Sequence, residues 1–312
     1  MKKNYNSIEE MVGNTPLLRL NKWEKKQGIS ASLSVKCEFY NPLFSVKDRA
    51  ALKMLEEAEQ NHKITEDTIF VEATSGNTGI ALAALCAAKG YKLVVAMPEN
   101  MSKERIVLMR YFGADVILTP KEDGMQGAIA KVDLLKEKNK NVIVLNQFNN
   151  SANADAHRFG TSMEIMEATH GEVDVLVASV GTAGTITGTA ATLKTYNPDL
   201  YVVAVEPKAS SVLSGNQAQI HDIPGIGAGF VPPLYNEDLV NEVVAVSDGD
   251  AWKTAENVAK TEGLPIGISA GAAVYAATEI AKRKEMFGKN IVVILPDAIN
   301  NYISRLIDNA NF

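Results

Sequence analysis

The stretch TIFVEATSGNTGIALAALCAAKGYKLVVAM, residues 68–97, sets the fold class of this chain. It opens and closes with short apolar runs, at 68–73 and 92–97. Between them lie a polar turn flanked by glycines and an apolar segment of helical length. The pattern predicts a strand, a turn, a buried helix and a second strand. Strands that are apolar on both faces and separated by helices favour a parallel sheet covered by helices on both sides.

The same alternation continues along the rest of the chain. Residues 102–113 predict a helix with Ser102 as its N-cap and Gly113 as its C-terminal stop. A further helix is expected around 124–138. The strand-like runs that remain are ADVILTP, NVIVLNQF, VDVLVASV, LYVVAVEP, NEVVAVSD and NIVVILPD. We therefore expect an α/β protein of two domains, with a boundary after NQF because residues 149–157 (NNSANADAH) are polar and loop-like.

Composition and charge narrow the classes of partner. The chain of 312 residues has 31 basic and 37 acidic side chains and a net charge of −6, which offers no basic surface for nucleic acid or for an anionic membrane. No apolar run approaches the roughly 20 residues that cross a bilayer. The start, MKKNYNSIEE, lacks the apolar core of a signal peptide. We therefore expect a cytoplasmic protein without nucleic-acid or membrane partners.

The cysteines and histidines give no sign of a disulfide or a metal site. Residues 32–39 (SLSVKCEF) alternate apolar and polar side chains, which predicts a half-buried strand with Cys37 on its apolar face. Cys86 lies in the apolar helix of the opening stretch, so both thiols are expected to be buried packing groups. The four histidines lack metal-ligand spacing, and His157 is expected to support a loop.

Two turns that follow strand-like runs have the composition of anion sites. The first is TSGNTG at 74–79 and the second is GTAGT at 181–185, and each precedes a helix. Small polar side chains and free backbone N–H groups at a helix N-terminus bind anions. The alternative for the first is an ordinary glycine-assisted turn with a capping side chain. The second matches neither a Walker loop nor a dinucleotide fingerprint, which leaves a phosphate cradle.

Two further turns are less specific on their own. Ser269, in LPIGISAGAAVYAA, lies just before a helix of small residues, and by itself it is a helix cap. The segment GIGAGF at 225–230 is rich in glycine and therefore flexible.

A lysine stands where a cation is disfavoured. Residues 45–59 (SVKDRAALKMLEEAE) predict a helix with Ser45 as N-cap and Asp48 completing a capping-box-like start. Lys47 lies in its first turn, against the helix dipole. A phosphate cradle, a carboxylate-sized site and such a lysine indicate pyridoxal phosphate, whose aldehyde needs an amine with a lowered pKa. The alternative is a solvated lysine without a chemical role.

The motifs together resemble a known family. In order along the chain, NPLFSVKDR, EATSGNTGIALA, NQF, VGTAGTITG, GIGAGFVP and GISAGA resemble the cysteine synthase and cystathionine β-synthase family of fold-type II pyridoxal-phosphate enzymes. VGNTPLLRL near the N-terminus also matches, and the likeness runs from about residue 7 to 305. The resemblance implies a tryptophan synthase β-like fold of two domains, each a mostly parallel twisted sheet with helices on both faces.

The resemblance also implies roles for individual residues. Lys47 would form the Schiff base and act as acid and base at the substrate Cα. Asn77 would hydrogen-bond the cofactor's 3-hydroxyl, and Ser269 would face the pyridine nitrogen as a neutral partner. The residues implied for the phosphate are Gly181, Thr182, Ala183, Gly184 and Thr185, with Ala183 standing where the family usually has glycine. Those implied for the substrate and its carboxylate are Thr74, Ser75, Gly76, Thr78, Gln147 and Gly227.

The implied activity is β-replacement, here conversion of O-acetyl-L-serine and sulfide to L-cysteine through an aminoacrylate intermediate. A smaller, mobile domain at 41–149 would carry Lys47 and the TSGNTG loop, and 1–40 with 150–312 would form a larger phosphate-binding domain. The partners would be a small amino acid and sulfide or a thiol, in a homodimer. The alternatives are cysteine- or serine-consuming formation of a thioether such as lanthionine or cystathionine, a serine or threonine dehydratase, and a non-catalytic cofactor-binding regulator.

Some residues depart from the family pattern. Phe44 replaces a small residue before the lysine, which is expected to narrow or reshape that side of the pocket. Ala270 replaces a common serine, and LPDAINNYIS is closer to cystathionine β-synthase than to many cysteine synthases. GIGAGFVP, in contrast, is cysteine-synthase-like. The reaction type is therefore better defined than the pair of substrates.

Overall fold

The computed structural model of the protein describes residues 4–74 and 76–309, and within them ten strands form two sheets. The strands are β1 (Leu17–Arg19), β2 (Ser32–Cys37), β3 (Ile69–Ala73), β4 (Lys92–Pro98), β5 (Asp115–Thr119), β6 (Val142–Val144), β7 (Val175–Ser179), β8 (Tyr201–Pro207), β9 (Glu242–Val246) and β10 (Asn290–Leu295). The larger sheet has the order β1-β2-β10-β7-β8-β9, and the smaller sheet has the order β5-β4-β3-β6. Neighbouring strands run parallel, except that β1 and β2 are antiparallel.

Helices connect the strands and cover both faces of each sheet. They are α1 (Asn21–Gln27), α2 (Lys47–Asn61), α3 (Asn77–Lys89), α4 (Lys103–Tyr111), α5 (Gly124–Lys138), α6 (Ser151–Ala156), α7 (Ser162–Thr169), α8 (Gly184–Tyr196), α9 (Asp248–Glu262), α10 (Ile268–Ala281) and α11 (Ile303–Asn309). In the described part of the chain, none of them is both long enough and apolar enough to cross a membrane. The predicted α/β class with mostly parallel sheets is confirmed.

Alternate residues of the central strands face different apolar cores. In the larger sheet, Val177 packs in a core with α9 and α10, whereas the next residue, Ala178, packs in a core with α8. In the smaller sheet, Phe70 packs with α2 and α3, and Val71 packs with α5. Burial on both faces explains why these strands are continuous apolar runs rather than alternating ones.

The two sheets take their strands from different parts of the chain. All strands of the smaller sheet come from residues within 41–149, and those of the larger sheet come from outside that range. The domain limits and the mobility of the smaller domain stay predictions.

The helix α2 begins at Lys47, and its N-cap is Val46. The N-cap therefore lies one residue after Ser45, the residue that was predicted for it. Ser45 Oγ nevertheless accepts the backbone N–H of Lys47 at 3.2 Å and donates to Asp48 Oδ1 at 3.2 Å. The apolar side chains of this helix form a buried stripe, and its members are Ala50, Ala51, Met54, Leu55 and Ala58. Local sequence thus places Lys47 at the start of a helix packed onto the smaller sheet.

Residues 151–157 of the polar segment are helical, so the prediction of this segment as a loop is wrong. The side chain of Asn150 caps the N-terminus of α6, and the helical path continues through a π-helical turn at His157–Thr161 into α7. Asn153 and His157 are buried. Their polar groups suggested a solvated loop, but they have hydrogen-bond partners inside the protein.

The strand β2 alternates between half-exposed and buried side chains over residues 32–35, as predicted, but the polar side chains that follow are buried too. Lys36 is 1% exposed and Glu38 0%. Arg49 Nε lies 2.6 Å from Glu38 Oε2, and Arg49 Nη1 lies 2.7 Å from Glu164 Oε1. Lys36 Nζ lies 2.6 Å from Glu164 Oε2. Each buried charge has an opposite partner, which is the condition under which burial of charges is tolerated, and the network ties β2 and α7 to the first turn of α2.

Both thiols are buried and free, Cys37 in a core of the larger sheet and Cys86 in a core of the smaller sheet. Burial raises the pKa of each thiol to about 12. Neither is therefore a thiolate at neutral pH, and both act as packing groups, as predicted.

Candidate active site

The turns after strands of both sheets meet around two connected spaces. The first, which we call the central cavity, has a volume of about 280 Å³. The second, which we call the inner pocket, shares several of its lining residues. The predicted site residues that line one or both are Lys47, Thr74, Asn77, Thr78, Gln147, Gly181, Thr182, Ala183, Thr185, Gly227 and Ser269. This is the edge at which ligands bind in folds of this class.

Three predicted site residues do not line these spaces or lie outside the described residues. Gly76 and Gly184 are not lining residues of either space. Ser75 lies outside the residues that the structure describes. The roles of all the predicted site residues stay predictions at this point.

Lys47 lines both the central cavity and the inner pocket. Burial lowers the pKa of its ammonium, and the nearby carboxyls of Asp297, Glu38 and Asp48 partly oppose that shift. The N-terminus of α2 disfavours the cation as well. The side chain is therefore placed to act as a neutral amine, which is the property that a nucleophilic lysine needs.

The TSGNTG loop and Gln147 are joined by hydrogen bonds. Thr78 Oγ1 donates to Gln147 Oε1 at 2.7 Å, and Gln147 Nε2 donates to the main-chain oxygen of Ala73 at 2.7 Å. The second hydrogen on Nε2 stays available to a ligand in the cavity. A Cβ on Gly76 would lie 2.7 Å from the Arg105 side chain, so a larger residue there would displace that side chain. Hydroxyl and amide donors at the N-terminus of α3 suit a carboxylate.

The turn 181–185, which leads into α8, has little free space around its backbone. Ala183 is the N-cap of α8 and has a left-handed backbone with φ +67°, the conformation for which the family's usual glycine is suited. A Cβ on Gly181 would lie 2.4 Å from the main-chain oxygen of Gly225. The first N–H groups of a helix have no partner within the helix, so this turn presents donors to an anion.

Unsatisfied polar atoms in the inner pocket indicate a polar occupant. Within the described residues, Ser179 Oγ and Asp297 Oδ1 are buried without a hydrogen-bond partner, and both residues line the inner pocket. Buried polar groups in folded proteins are almost always paired. Together with the donors at 181–185, these atoms fit a compact cofactor that carries a phosphate and several ring substituents.

Asp297 is a site residue that the motifs did not predict. It follows β10 directly, is 1% exposed, and accepts hydrogen bonds from Asn77 Nδ2 at 2.7 Å and from the hydroxyl of Tyr302. Burial raises the pKa of its carboxyl, and the hydrogen bonds from Tyr302 and Asn77 oppose part of that shift. Asp297 therefore holds the amide of the residue predicted to bind the cofactor's 3-hydroxyl. In the sequence, its position just after the strand-like run NIVVIL could have indicated that it lies at the ligand-binding edge of the sheet.

Two expectations about neighbouring residues are wrong. Ser269 is the second residue of α10, whose N-cap is Gly267, so it is not a helix cap; it is buried and lines the inner pocket. Phe44 does not narrow the pocket, because its side chain is 53% exposed and lines neither space. The backbone at Phe44 has φ +65°, in a turn that directs the side chain outward.

Gly227, in contrast, is one of the predicted site residues next to the open space. It lines the central cavity with φ +63°, and a Cβ there would lie 2.6 Å from the ring of Pro207. In the described residues, no group of His, Cys, Asp and Glu side chains is arranged to hold a metal ion.

We expect Gln147→Ala to weaken binding of the amino acid and to spare the cofactor. The side chain of Gln147 contacts Thr78 and Ala73 rather than the turn at 181–185. Loss of a hydrogen bond to a charged carboxylate corresponds to roughly 1–3 kcal/mol. Titration of the holoprotein's absorbance with amino acid measures the change in Kd. Gln60→Ala, at an exposed position on α2, is the control, and loss of the cofactor from the Gln147 variant would contradict the assignment.

Comparison with known proteins places the chain among pyridoxal-phosphate dependent enzymes, whose family model matches residues 8–297. A probable cysteine synthase of Bacillus subtilis is 45% identical over 298 residues, which is 95% of each chain. The solved structure of a cysteine synthase (OASS) of Entamoeba histolytica has a TM-score of 0.94 and 40% identity, and covers 100% of this chain and 93% of its own. A hydrogen sulfide-producing enzyme of Fusobacterium nucleatum has a TM-score of 0.92 and 40% identity, over 96% of this chain and 100% of its own.

The chain therefore belongs to the pyridoxal-phosphate-dependent enzymes. The resemblance to the cysteine synthase family that its motifs predicted is confirmed, and so are the fold class and the cofactor.

Proposed function

We propose that the protein catalyses β-replacement on a serine-type amino acid, with O-acetyl-L-serine as donor, sulfide as acceptor and L-cysteine as product. The observation that carries this proposal is the position of Lys47, which shares one connected space with the TSGNTG loop and the turn at 181–185. The relatives from B. subtilis and E. histolytica are named as a probable cysteine synthase and a cysteine synthase, which supports the same reaction.

The inner pocket would hold the cofactor. When bound, pyridoxal phosphate supplies an aldehyde that attaches to an amine and a ring that withdraws electrons from the substrate Cα. Lys47 would bind at the aldehyde, Asn77 at the 3-hydroxyl, Ser269 at the ring nitrogen and the turn 181–185 at the phosphate. Ser269 carries no charge, so it does not drive the ring nitrogen to protonate. A neutral partner there favours loss of a group from Cβ over transamination.

The chain's own residues would bind the amino acid and move its proton. Its carboxylate would accept hydrogen bonds from the Thr74 hydroxyl, from Gln147 Nε2 and from the loop residues Ser75 and Gly76. Thr78 would contribute its main-chain N–H, because its hydroxyl already donates to Gln147 Oε1. That anchorage would hold Cα beside Lys47. Because burial lowers the pKa of Lys47, more of it is present as the neutral amine that can take a proton from Cα.

A second reaction is suggested by one of the relatives. This reaction releases sulfide from cysteine while another thiol adds, and it forms a thioether such as lanthionine or cystathionine. The relative from F. nucleatum is named as a hydrogen sulfide-producing enzyme.

Product analysis separates the two reactions. The holoenzyme is incubated with O-acetyl-L-serine and sulfide, and in parallel with L-cysteine and homocysteine, and the products are identified by mass spectrometry. Faster formation of L-cysteine in the first sample supports the proposed function. Faster formation of thioether and sulfide in the second supports the alternative. A protein that stays colourless after reconstitution, or converts neither mixture, contradicts both.

We expect L-cysteine alone to yield sulfide and lanthionine rather than serine. Serine requires a base that deprotonates water, whereas a thiol arrives partly as thiolate. Among the described residues that line the two spaces, Asp297 alone carries a carboxyl, and it lines the inner pocket rather than the central cavity. Both ring nitrogens of His221, which lines the central cavity, already have hydrogen-bond partners. Mass spectrometry of the products measures the ratio. If serine dominates for the wild type and disappears for Asp297→Asn, Asp297 is a water-activating base and the expectation is wrong.

We also propose a cytoplasmic homodimer in which residues 41–149 form the mobile domain. An exposed apolar surface supports the dimer: Phe159, Met163 and Tyr196 are 68%, 45% and 61% exposed and line one depression of the surface. Contiguous exposed apolar side chains of this kind mark sites of association between proteins.

A further inference from the structure

We propose that Asn153 is a positioning residue, whose amide orients the Thr182 hydroxyl toward the cofactor phosphate and ties the phosphate cradle to the amino-acid site. This inference deepens the proposed function and rests on its assignment of the turn 181–185 to the phosphate. Asn153 lies in the segment whose composition predicted a loop between domains, and no motif pointed to it.

The amide of Asn153 connects turns that belong to different sheets. The residue is in α6 and is 2% exposed. Its Nδ2 donates to the main-chain oxygen of Gln147 at 2.7 Å and to Thr182 Oγ1 at 2.8 Å. Gln147 follows β6 of the smaller sheet, and Thr182 follows β7 of the larger sheet. One side chain therefore sets the distance between the proposed carboxylate site and the proposed phosphate site.

The hydrogen-bonding capacity of these groups determines how Thr182 is oriented. The main-chain oxygen of Gln147 can only accept, so the nitrogen of the Asn153 amide must face it. The same nitrogen gives its other hydrogen to Thr182 Oγ1. A hydroxyl that accepts this hydrogen bond keeps its own hydrogen for another acceptor. Thr182 lines the central cavity and the inner pocket, where a phosphate oxygen would be that acceptor.

Close packing of α6 on α8 prevents the amide from turning away. A Cβ on Gly184 would lie 2.2 Å from Asn153 Oδ1, and a Cβ on Gly188 would lie 2.0 Å from the main-chain oxygen of Ala154. Both positions therefore require glycine, and the backbone of α8 rests directly against the amide of Asn153. The amide is thereby confined between α8, Gln147 and Thr182.

His157 makes a similar contact with the other end of the cradle. Its Nε2 lies 3.2 Å from Thr185 Oγ1, and its Nδ1 lies 2.8 Å from Thr161 Oγ1. Residues four positions apart share one face of a helix. The same face of the helical segment thus contacts two hydroxyls of the cradle, which indicates that the segment serves the phosphate site rather than a domain linker.

The test compares pyridoxal phosphate with pyridoxal, which has the same aldehyde and ring but no phosphate. Apoprotein is titrated with each, and attachment is followed by absorbance. Wild type should bind pyridoxal phosphate much more tightly than pyridoxal. Asn153→Ala should lower the affinity for pyridoxal phosphate by about tenfold to a hundredfold, the effect of misaligning a hydrogen bond to a charged group. Its affinity for pyridoxal should stay close to that of wild type.

Further variants separate positioning from a general loss of stability. Asn153→Asp keeps the size of the side chain and removes its N–H groups, so it should lose affinity for pyridoxal phosphate as Asn153→Ala does. Thr182→Val removes the hydroxyl, and its combination with Asn153→Ala should lose little more than either single variant, because both act through one hydrogen bond. Asn150→Ala removes the cap of the same helix without touching the cradle, and it is the matched control.

The outcomes distinguish failure of the inference from failure of the proposed function. Equal losses for pyridoxal phosphate and pyridoxal in Asn153→Ala, or additive losses in the double variant, would overturn the role of Asn153 and leave the phosphate site intact. A wild type that binds both compounds equally would overturn the phosphate site itself. If Asn153→Ala does not fold, the same comparison of pyridoxal phosphate with pyridoxal is made with Asn153→Asp and Thr182→Val. An unchanged preference of Asn153→Asp for pyridoxal phosphate refutes the inference.

Discussion

Replacing Lys47 with alanine should lower turnover by at least roughly 10²–10⁴-fold, the contribution of a positioned acid–base side chain. Lys47 is proposed both to bind the cofactor's aldehyde and to move the proton at the substrate Cα, so alanine removes two functions at once. Lys121 also lines the central cavity, but its side chain is exposed, and burial is what makes Lys47 a usable amine. We expect no other lysine to replace it.

Borohydride reduction of the holoenzyme, followed by peptide mass spectrometry, locates the point of attachment. The label should lie on Lys47 in wild type and be missing from residue 47 in the variant. Lys53→Ala is the matched control, because Lys53 is on the same helix and pairs with Glu56 at 3.0 Å with both side chains largely exposed. Its turnover should equal that of wild type. A label on a different lysine, with turnover retained in Lys47→Ala, would disprove the assignment.

Replacing Arg49 with methionine should lower the free energy of unfolding by about 3–5 kcal/mol, the usual effect of removing one partner from a buried ion pair. The side chain of Arg49 is 4% exposed and pairs with Glu38 and Glu164. Methionine has similar length but leaves both carboxylates without their guanidinium partner. Because Arg49 lies two residues after Lys47, the start of α2 should also lose its attachment to β2 and α7.

Urea unfolding measures this loss, and Arg283→Met provides the control. Arg283 forms a two-fold hydrogen-bonded pair with Glu242 at 2.7 Å, but the two side chains are 36% and 26% exposed. Water partly screens this pair, so its removal should lower stability by less than removal of Arg49 does. Equal effects of the two substitutions would show that the buried network contributes nothing beyond a surface pair. Unfolding curves that change slope would point instead to a change in the unfolded state.

The same network predicts a dependence on acid. Burial raises the pKa of the Glu164 carboxyl, but the hydrogen bonds and charge of Arg49, with the charge of Lys36, outweigh burial and lower the pKa to about 2 from its ordinary 4.5. A carboxyl with a lowered pKa in the folded state contributes stability that is complete above about pH 4.5 and is lost as the pH falls toward 2. Removal of Arg49 should therefore reduce the loss of stability between these pH values.

Much of the fold followed from local patterns. Each strand-like run quoted from the sequence overlaps one of the observed strands, and the helix expected around 124–138 runs from Gly124 to Lys138. These strands could be predicted because both faces of a parallel sheet are buried, so each strand is a continuous run of apolar residues. The turns between them place Lys47, Asn77, Thr182 and Ser269 around one space, as the order of the motifs suggested.

Several of the errors fall where polar residues are buried. Residues 149–157 suggested a loop because they are polar, and Lys36 and Glu38 suggested the exposed side of a half-buried strand because they alternate with apolar residues. In both, polar side chains are satisfied by partners far away in the chain, such as Arg49 and Glu164 for Glu38 and Lys36. Asp297 was missed for the same reason, since its partner Asn77 is 220 residues away.

By itself the sequence determined the class of fold, the position of Lys47 at a helix start and the family to which the chain belongs. These depend on periodicity, on glycine-containing turns and on short motifs, all of which act over a few neighbouring residues. Only the tertiary structure decided which polar groups are buried, that residues 151–156 form a helix, and that Asn153 and Asp297 hydrogen-bond to predicted site residues. The physical reason is that a polar side chain can be buried when a distant segment supplies its hydrogen-bond partner. The residues next to that side chain in the sequence do not show which residue the partner is.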